Sequence, residues 1–82
     1  MVAFVAPGRG EVAFVVGRRI GGAVLRNRAR RIMRAAWRAV APRVRGGYDV
    51  VWVARASIRG ARTQELVPEM ESLLRRARVM DP

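Results

Sequence analysis

The chain contains no cysteine and no histidine. The first absence excludes disulfides, a thiolate zinc cluster and a thiol nucleophile; the second removes the commonest general base and metal ligand. The few hydroxyls, Ser57, Ser72, Thr63 and Tyr48, have no acid-base partner near them in sequence, so no nucleophilic triad can be built from them. Lysine is missing too, and carboxylates are scarce: six acids stand against 17 arginines. Those acids are too dispersed for two-metal hydrolysis, which puts a protein-only nuclease last among the candidate functions. The polypeptide is expected to be non-catalytic and to bind no cofactor of its own. No run of 18 apolar residues occurs, and the start lacks the charged lead and small-residue cleavage site of a secretory signal, so the expected location is the cytoplasm.

What remains is small and strongly basic. At 82 residues, 1–82 is expected to form a single domain, near the lower limit for a self-supporting hydrophobic core. The net charge of +11 is unevenly distributed: residues 1–64 hold 14 arginines against Glu11 and Asp49, whereas residues 65–82 hold three against four acids. A localised basic block is the footprint of a nucleic-acid binder, with an anionic membrane surface as the competitor. Arginine favours planar, bidentate contacts with phosphates and bases, although genomic base composition produces the same bias.

The block concentrates on one predicted helix, residues 23–41, stopped by Pro42. At about 100° per residue, Arg26, Asn27, Arg30, Arg31, Arg34 and Arg38 occupy an arc of roughly 140°. Leu25, Ala29, Ile32, Met33, Ala36 and Val40 gather on the opposite side. The arginine pairs 26/30, 30/34 and 34/38 are i,i+4 like-charge neighbours, each destabilising an isolated helix by a few tenths of a kcal/mol. No acid inside the helix relieves them, and a polyanion would. A merely solvated face normally mixes signs.

Around that helix the pattern predicts residues 1–6 and 11–16 as two antiparallel strands in a hairpin turned by Pro7, Gly8 and Gly10. Residues 48–54 read as a third strand, Thr63 as a helix cap, and Leu66, Met70, Leu73, Leu74 and Ala77 as the apolar stripe of a last helix docking on the sheet. Pro68 implies that this helix starts near Val67 or is kinked in its first turn. The expected class is α+β, order β-β-α-β-α, with a sheet of three or more strands covered by helices.

Gly17, Gly21 and Gly22 lack the spacing of a phosphate-cradling loop and read as a strand-to-helix turn. Arg18 and Arg19 on that turn extend the basic arc. Trp37 and Trp52 read as core, whereas Phe4 on a strand is either core or a platform for single-stranded RNA.

Residues 15–38, Val-Val-Gly-Arg-Arg-Ile-Gly-Gly-Ala-Val-Leu-Arg-Asn-Arg-Ala-Arg-Arg-Ile-Met-Arg-Ala-Ala-Trp-Arg, resemble the signature of the bacterial ribonuclease P protein subunit. There a Ser-Lys-Lys-like turn leads through Gly-Asn-Ala-Val into a helix bearing Arg-Asn-Arg-x-Lys-Arg; Tyr48 to Arg55 is similar to the family's later strand and following arginine. The resemblance implies a ribosomal-protein-S5-domain-2-like fold, in which the strands flanking the helix are parallel and joined by a left-handed crossover, against the usual hand. It also implies a function: binding the catalytic RNA of ribonuclease P and helping hold the 5′ leader of precursor tRNA, with hydrolysis performed by the RNA and its magnesium. RNA contacts are then expected from Arg18, Arg19, Arg26, Asn27, Arg28, Arg30, Arg31, Arg34 and Arg38, and leader contact from Phe4. Gly22 replaces the family's usual asparagine. The family's additional amino-terminal helix, one wall of the leader cleft, has no counterpart before the first predicted strand.

Two other readings are open on charge alone: a general or ribosomal RNA-binding domain, and a cationic membrane-surface protein. The second requires bulky apolar residues opposite the arginines, where Ala29, Ala35, Ala36 and Ala39 stand instead. The strands are apolar on both faces, so two helices leave part of the sheet open and self-association through it is expected.

Overall fold

The computed structural model describes residues 1–81. The strands are β1 (Val2–Pro7), β2 (Val12–Val15) and β3 (Tyr48–Val53); the helices are α1 (Ala23–Val40) and α2 (Thr63–Arg76). Short 3-10 turns occupy Arg18–Ile20, Ala41–Arg43 and Ala56–Ile58. The order is the expected β-β-α-β-α, but the first two strands do not form a hairpin. The sheet runs β1-β3-β2, with β3 antiparallel to β1 and parallel to β2.

The third strand, the most buried of the three, separates the other two. Val50 and Trp52 are buried on one face and Val51 and Val53 half-buried on the other, so β3 at an edge would expose the unpaired backbone of the chain's most aggregation-prone segment. Pro7, which cannot donate to a ladder, ends an edge strand instead. Asp49 then holds the 8–11 loop across the end of β3. Its Oδ1 accepts the backbone N–H groups of Arg9, Gly10 and Glu11 at 2.9, 3.0 and 2.9 Å, and Gly8 N–H donates to the Gly47 carbonyl at 2.9 Å. Gly8 has no room for a side chain: a Cβ there would lie 2.0 Å from Asp49 Oδ2.

Helix α1 forms where the 3.6-residue pattern placed it. It buries Ala29, Ile32, Met33, Ala36 and Val40, and gives way to the turn containing Pro42, which has no N–H to continue the ladder. Helix α2 starts earlier than Val67. Thr63 is its first residue rather than its cap; Arg62 takes the cap position, its N–H donating to Glu65 Oε1 at 2.9 Å while Glu65 N–H returns to the Arg62 carbonyl at 3.0 Å. Pro68 lies inside the helix. The far end closes with a left-handed Arg78 (φ 61°), Val79 N–H reaching the Leu74 carbonyl at 3.1 Å and Arg78 N–H that of Arg75 at 3.0 Å, a Schellman arrangement.

Leu66, Met70 and Leu74 are buried, Leu73 is partly buried and Ala77 is exposed. Helix α2 packs chiefly on α1 and meets the sheet mainly at β1, a smaller sheet contact than the stripe suggested. Both helices lie on the Val50/Trp52 face, with Trp37 tilted against Trp52 at 5.8 Å between ring centroids. The register puts Phe4 opposite Val51, and Ala13 and Val15 beside Val51 and Val53, on the other face. Among the described residues no element covers that face: Phe4 is 61% exposed and Val15 45%.

Candidate nucleic-acid interface

The basic arc survives folding without counter-charges. Among the described residues the ion pairs join the Met1 amino group to Glu69, Arg43 and Arg75 to Glu71, and Arg45 to Asp81. None involves an arginine of α1. Asn27, Arg31, Arg34 and Arg38 are exposed, and Arg26 and Arg30 are half-buried along the helix flank. Arg30 Nη1 makes only a long contact, 3.4 Å, to Asn27 Oδ1. The Arg34 guanidinium lies 5.8 Å from the Phe14 ring centroid, which joins the arc to edge strand β2. Arginines 26, 30, 34 and 38 therefore form a row rising about 6 Å per step along the helix.

Arg28 stands apart from this row. Its Nη2 donates to the Ala61 carbonyl at 2.7 Å, tying α1 to the segment before α2. Arg18 and Arg19 are exposed on the 3-10 turn that carries β2 into α1. They border a second feature, an open groove of about 700 Å³ at the carboxyl ends of the two parallel strands. Its apolar lining comes from Val15, Val53 and Ala56, and its cationic lining from Arg18, Arg19 and Arg55. The groove continues the uncovered sheet face on which Phe4 lies. Trp37 and Trp52 are packed as expected, and Trp52 Nε1 is buried without a hydrogen-bond partner.

Sequence reasoning passed over Arg59 and Arg62 and left Arg55 out of the site. Arg59 Nε donates to the Ile20 carbonyl across 39 residues, and no local pattern announces such a bond. Only the parallel pairing of β2 and β3, which puts the segments after both strands side by side, brings these arginines to the same end of the molecule as Arg18, Arg19 and the start of α1. The described residues contain no group of three or more acids able to hold a metal ion, and no helix long and apolar enough to cross a membrane.

Comparison with known proteins follows these features closely. The family model described as Ribonuclease P matches residues 1–78. The chain is 43% identical over 81 residues to the ribonuclease P protein component of Chloroflexus aurantiacus, covering 94% of this chain and 60% of that protein. Over 67 residues it is 45% identical to the component of Symbiobacterium thermophilum, covering 82% and 58%. It thus spans about three fifths of the length of these relatives. The RNase P protein of Staphylococcus aureus superposes with a TM-score of 0.77 at 20% identity, over 96% of this chain and 75% of that one. That of Thermotoga maritima superposes with a TM-score of 0.74 at 21% identity, over 90% and 74%. With the strand-turn-helix signature, the split sheet and the relatives in agreement, the chain belongs to the ribonuclease P protein family.

Proposed function

We propose that this chain is an RNA-binding subunit of ribonuclease P, anchoring the catalytic RNA and assisting removal of the 5′ leader from precursor tRNA. The observation that carries the reading is the α1 row, four arginines at helical spacing with no acid paired to any of them. Isolated, such a row repels itself; against a polyanion each guanidinium gains charge-assisted hydrogen bonds and releases condensed counterions. Arg26, Asn27, Arg30, Arg31, Arg34 and Arg38 are assigned to the RNA backbone, with Arg18 and Arg19 extending the contact past the helix start. Arg28 contributes through the guanidinium nitrogens that its bond to Ala61 leaves free.

The uncovered sheet face suits a single strand. Phe4 offers an exposed ring on which a base can stack, Val51 and Val53 continue the apolar surface, and Arg18, Arg19 and Arg55 supply cations at its end. We assign this face to the leader. The cleavage chemistry is assigned to the RNA and to magnesium bound there, because the chain has no histidine or cysteine and its described residues hold no acidic cluster. A contact surface of this kind acts by positioning substrate and by neutralising phosphate repulsion between two RNAs.

Precursor-tRNA cleavage by a bacterial ribonuclease P RNA at low magnesium, with and without the chain, is the deciding assay. Stimulation that is lost on Arg31→Ala or Arg34→Ala supports the reading. Comparable affinity for duplex DNA, ribosomal RNA and ribonuclease P RNA would replace it with a general RNA-binding function. The exposed Phe4 and Val15 also favour a second occupant of the sheet face, another copy of the chain in the absence of RNA. Sedimentation showing monomer alone at micromolar concentration would remove that reading.

A further inference from the structure

The most exposed large aliphatic side chain in the molecule lies where the charge is densest. Val24, in the first turn of α1, is 83% exposed, and the adjacent Leu25 is 43% exposed. Neither belongs to the sheet face. They flank Arg28 on the helix surface, Val24 on the side shared with Asn27 and Arg31, and Leu25 at the corner where the first turn of α1 meets the segments 18–21 and 59–62.

Two guanidinium groups are fastened at this corner. Arg28 is bonded to the Ala61 carbonyl and Arg59 to the Ile20 carbonyl, each by one of its five N–H groups. Fixing one donor orients the plane of the others, so these arginines lose less freedom on binding than the free arginines of the row. Arg62 is exposed beside them, and Glu65, the nearest acid in sequence, has Oε1 engaged by Arg62 N–H. The patch is therefore apolar at its centre and cationic at its rim. Phosphate does not require an apolar centre, and an acidic or apolar protein helix does not require planar donors held in place. A nucleobase lifted out of its stack requires both: an apolar surface for its face or ribose, and oriented N–H groups for its edge and its phosphate.

We infer that the corner formed by Val24, Leu25, Arg28 and Arg59 is a second RNA site that takes one unstacked nucleotide of the RNA partner, distinct from the phosphate-binding row of α1 and from the open sheet face. The inference rests on the proposed RNA-binding function and adds discrimination to it. The row grips any RNA backbone, whereas the corner selects an RNA that presents an unpaired base at a fixed distance from the helix held by the row.

Val24→Ser and Val24→Ala test the idea at a position where neither change touches the core. Both variants are compared with the wild-type chain and with Arg34→Ala for binding to a bacterial ribonuclease P RNA across a salt series, with chemical footprinting of the bases. The expected result is a loss of affinity of roughly threefold to tenfold for Val24→Ser, less for Val24→Ala, with an unchanged salt slope, since no phosphate contact is lost. One protected nucleotide should become reactive while the remaining footprint persists. Unchanged affinity and footprint, or a salt slope that falls together with affinity, would overturn the inference. If Arg34→Ala is also without effect, or the wild-type chain does not bind this RNA, the proposed function itself fails. Insensitivity of the Val24 variants alone removes only the corner site.

Discussion

Replacing Arg30 with alanine should make the free protein more stable and the RNA complex weaker. Arg30 has like-charged neighbours at i−4 and i+4, Arg26 and Arg34, and no acid within reach. Each such pair opposes the helix by about 0.2–0.5 kcal/mol, so removing the shared member relieves roughly 0.4–1 kcal/mol. Alanine adds a small gain in helix propensity, on the order of 0.2 kcal/mol. What is lost is a 3.4 Å contact to Asn27, too long to be worth more than a few tenths of a kcal/mol at a half-exposed site. The expected balance is a gain of about 0.5 kcal/mol, visible as a higher urea midpoint with an unchanged m value. In the complex, loss of a charged hydrogen bond of about 1.5 kcal/mol should weaken RNA binding roughly tenfold and flatten the logarithmic salt slope by about 0.7–0.9. Arg34→Ala is the control. It relieves two pairs as well but gives up the position over Phe14, 5.8 Å from the centroid and worth about 0.5–1 kcal/mol, so its stability should stay close to wild type. A lower urea midpoint for Arg30→Ala, or an undiminished salt slope, would refute the account of α1 as a repulsive row relieved by a polyanion.

Other substitutions probe the fold beneath the site. Asp49→Ala removes the acceptor of three backbone N–H groups and should cost about 2 kcal/mol in urea unfolding, discounted for partial exposure; Gly8→Ala, whose Cβ would collide with that carboxylate, should act in the same direction. Arg78→Gly should stabilise by about 0.5–1 kcal/mol, because the residue closing the Schellman arrangement is left-handed and glycine adopts that conformation without penalty. Pro68→Ala should stabilise by about 1–2 kcal/mol by restoring a helical N–H to the Gln64 carbonyl, offset in part by a freer unfolded chain. Phe4→Ala should leave the urea midpoint within about 0.5 kcal/mol of wild type, since the ring is 61% exposed, while reducing affinity for precursor tRNA with a leader more than for mature tRNA.

Local periodicity made α1 legible almost to the residue, because its apolar stripe and its arginine arc are both properties of one continuous segment. The strands were legible as strands for the same reason. Their pairing was not. A Pro-Gly turn between two apolar runs reads as a hairpin, and what prevents one here is Asp49, whose three N–H partners lie 38 to 40 residues away. Resemblance to a family supplied the parallel relation of β2 and β3, which composition could not. Thr63 matched the usual chemistry of a cap, yet the reciprocal bond runs between Arg62 and Glu65, so the helix begins one residue earlier than a threonine cap implies. The arginine row could be listed in advance; the separate role of Arg28 could not, because its partner, the Ala61 carbonyl, is placed only by the packing of α2 on α1.

The placement of the acids explains why the row stays available to a partner. Helix α2 could have neutralised α1, since the two pack together and α2 carries Glu65, Glu69 and Glu71. Instead Glu65 caps its own helix, Glu69 meets the amino terminus at 2.9 Å, and Glu71 holds Arg43 at 2.7 Å and faces Arg75 at 3.7 Å. Asp81 pairs with Arg45, and Asp49 is engaged by the 8–11 loop. Every acid except Glu11 is thus engaged away from the arginines of α1. The core draws on the opposite stripe of that helix, so the charged stripe contributes little to stability beyond the position of Arg34 over Phe14. A fold organised this way keeps its binding surface at a high positive potential while remaining folded without the partner, and association should be fast at low salt and slow steeply as salt rises. Stopped-flow association rates that barely changed between about 50 and 200 mM salt would show that the unpaired row does not steer the encounter.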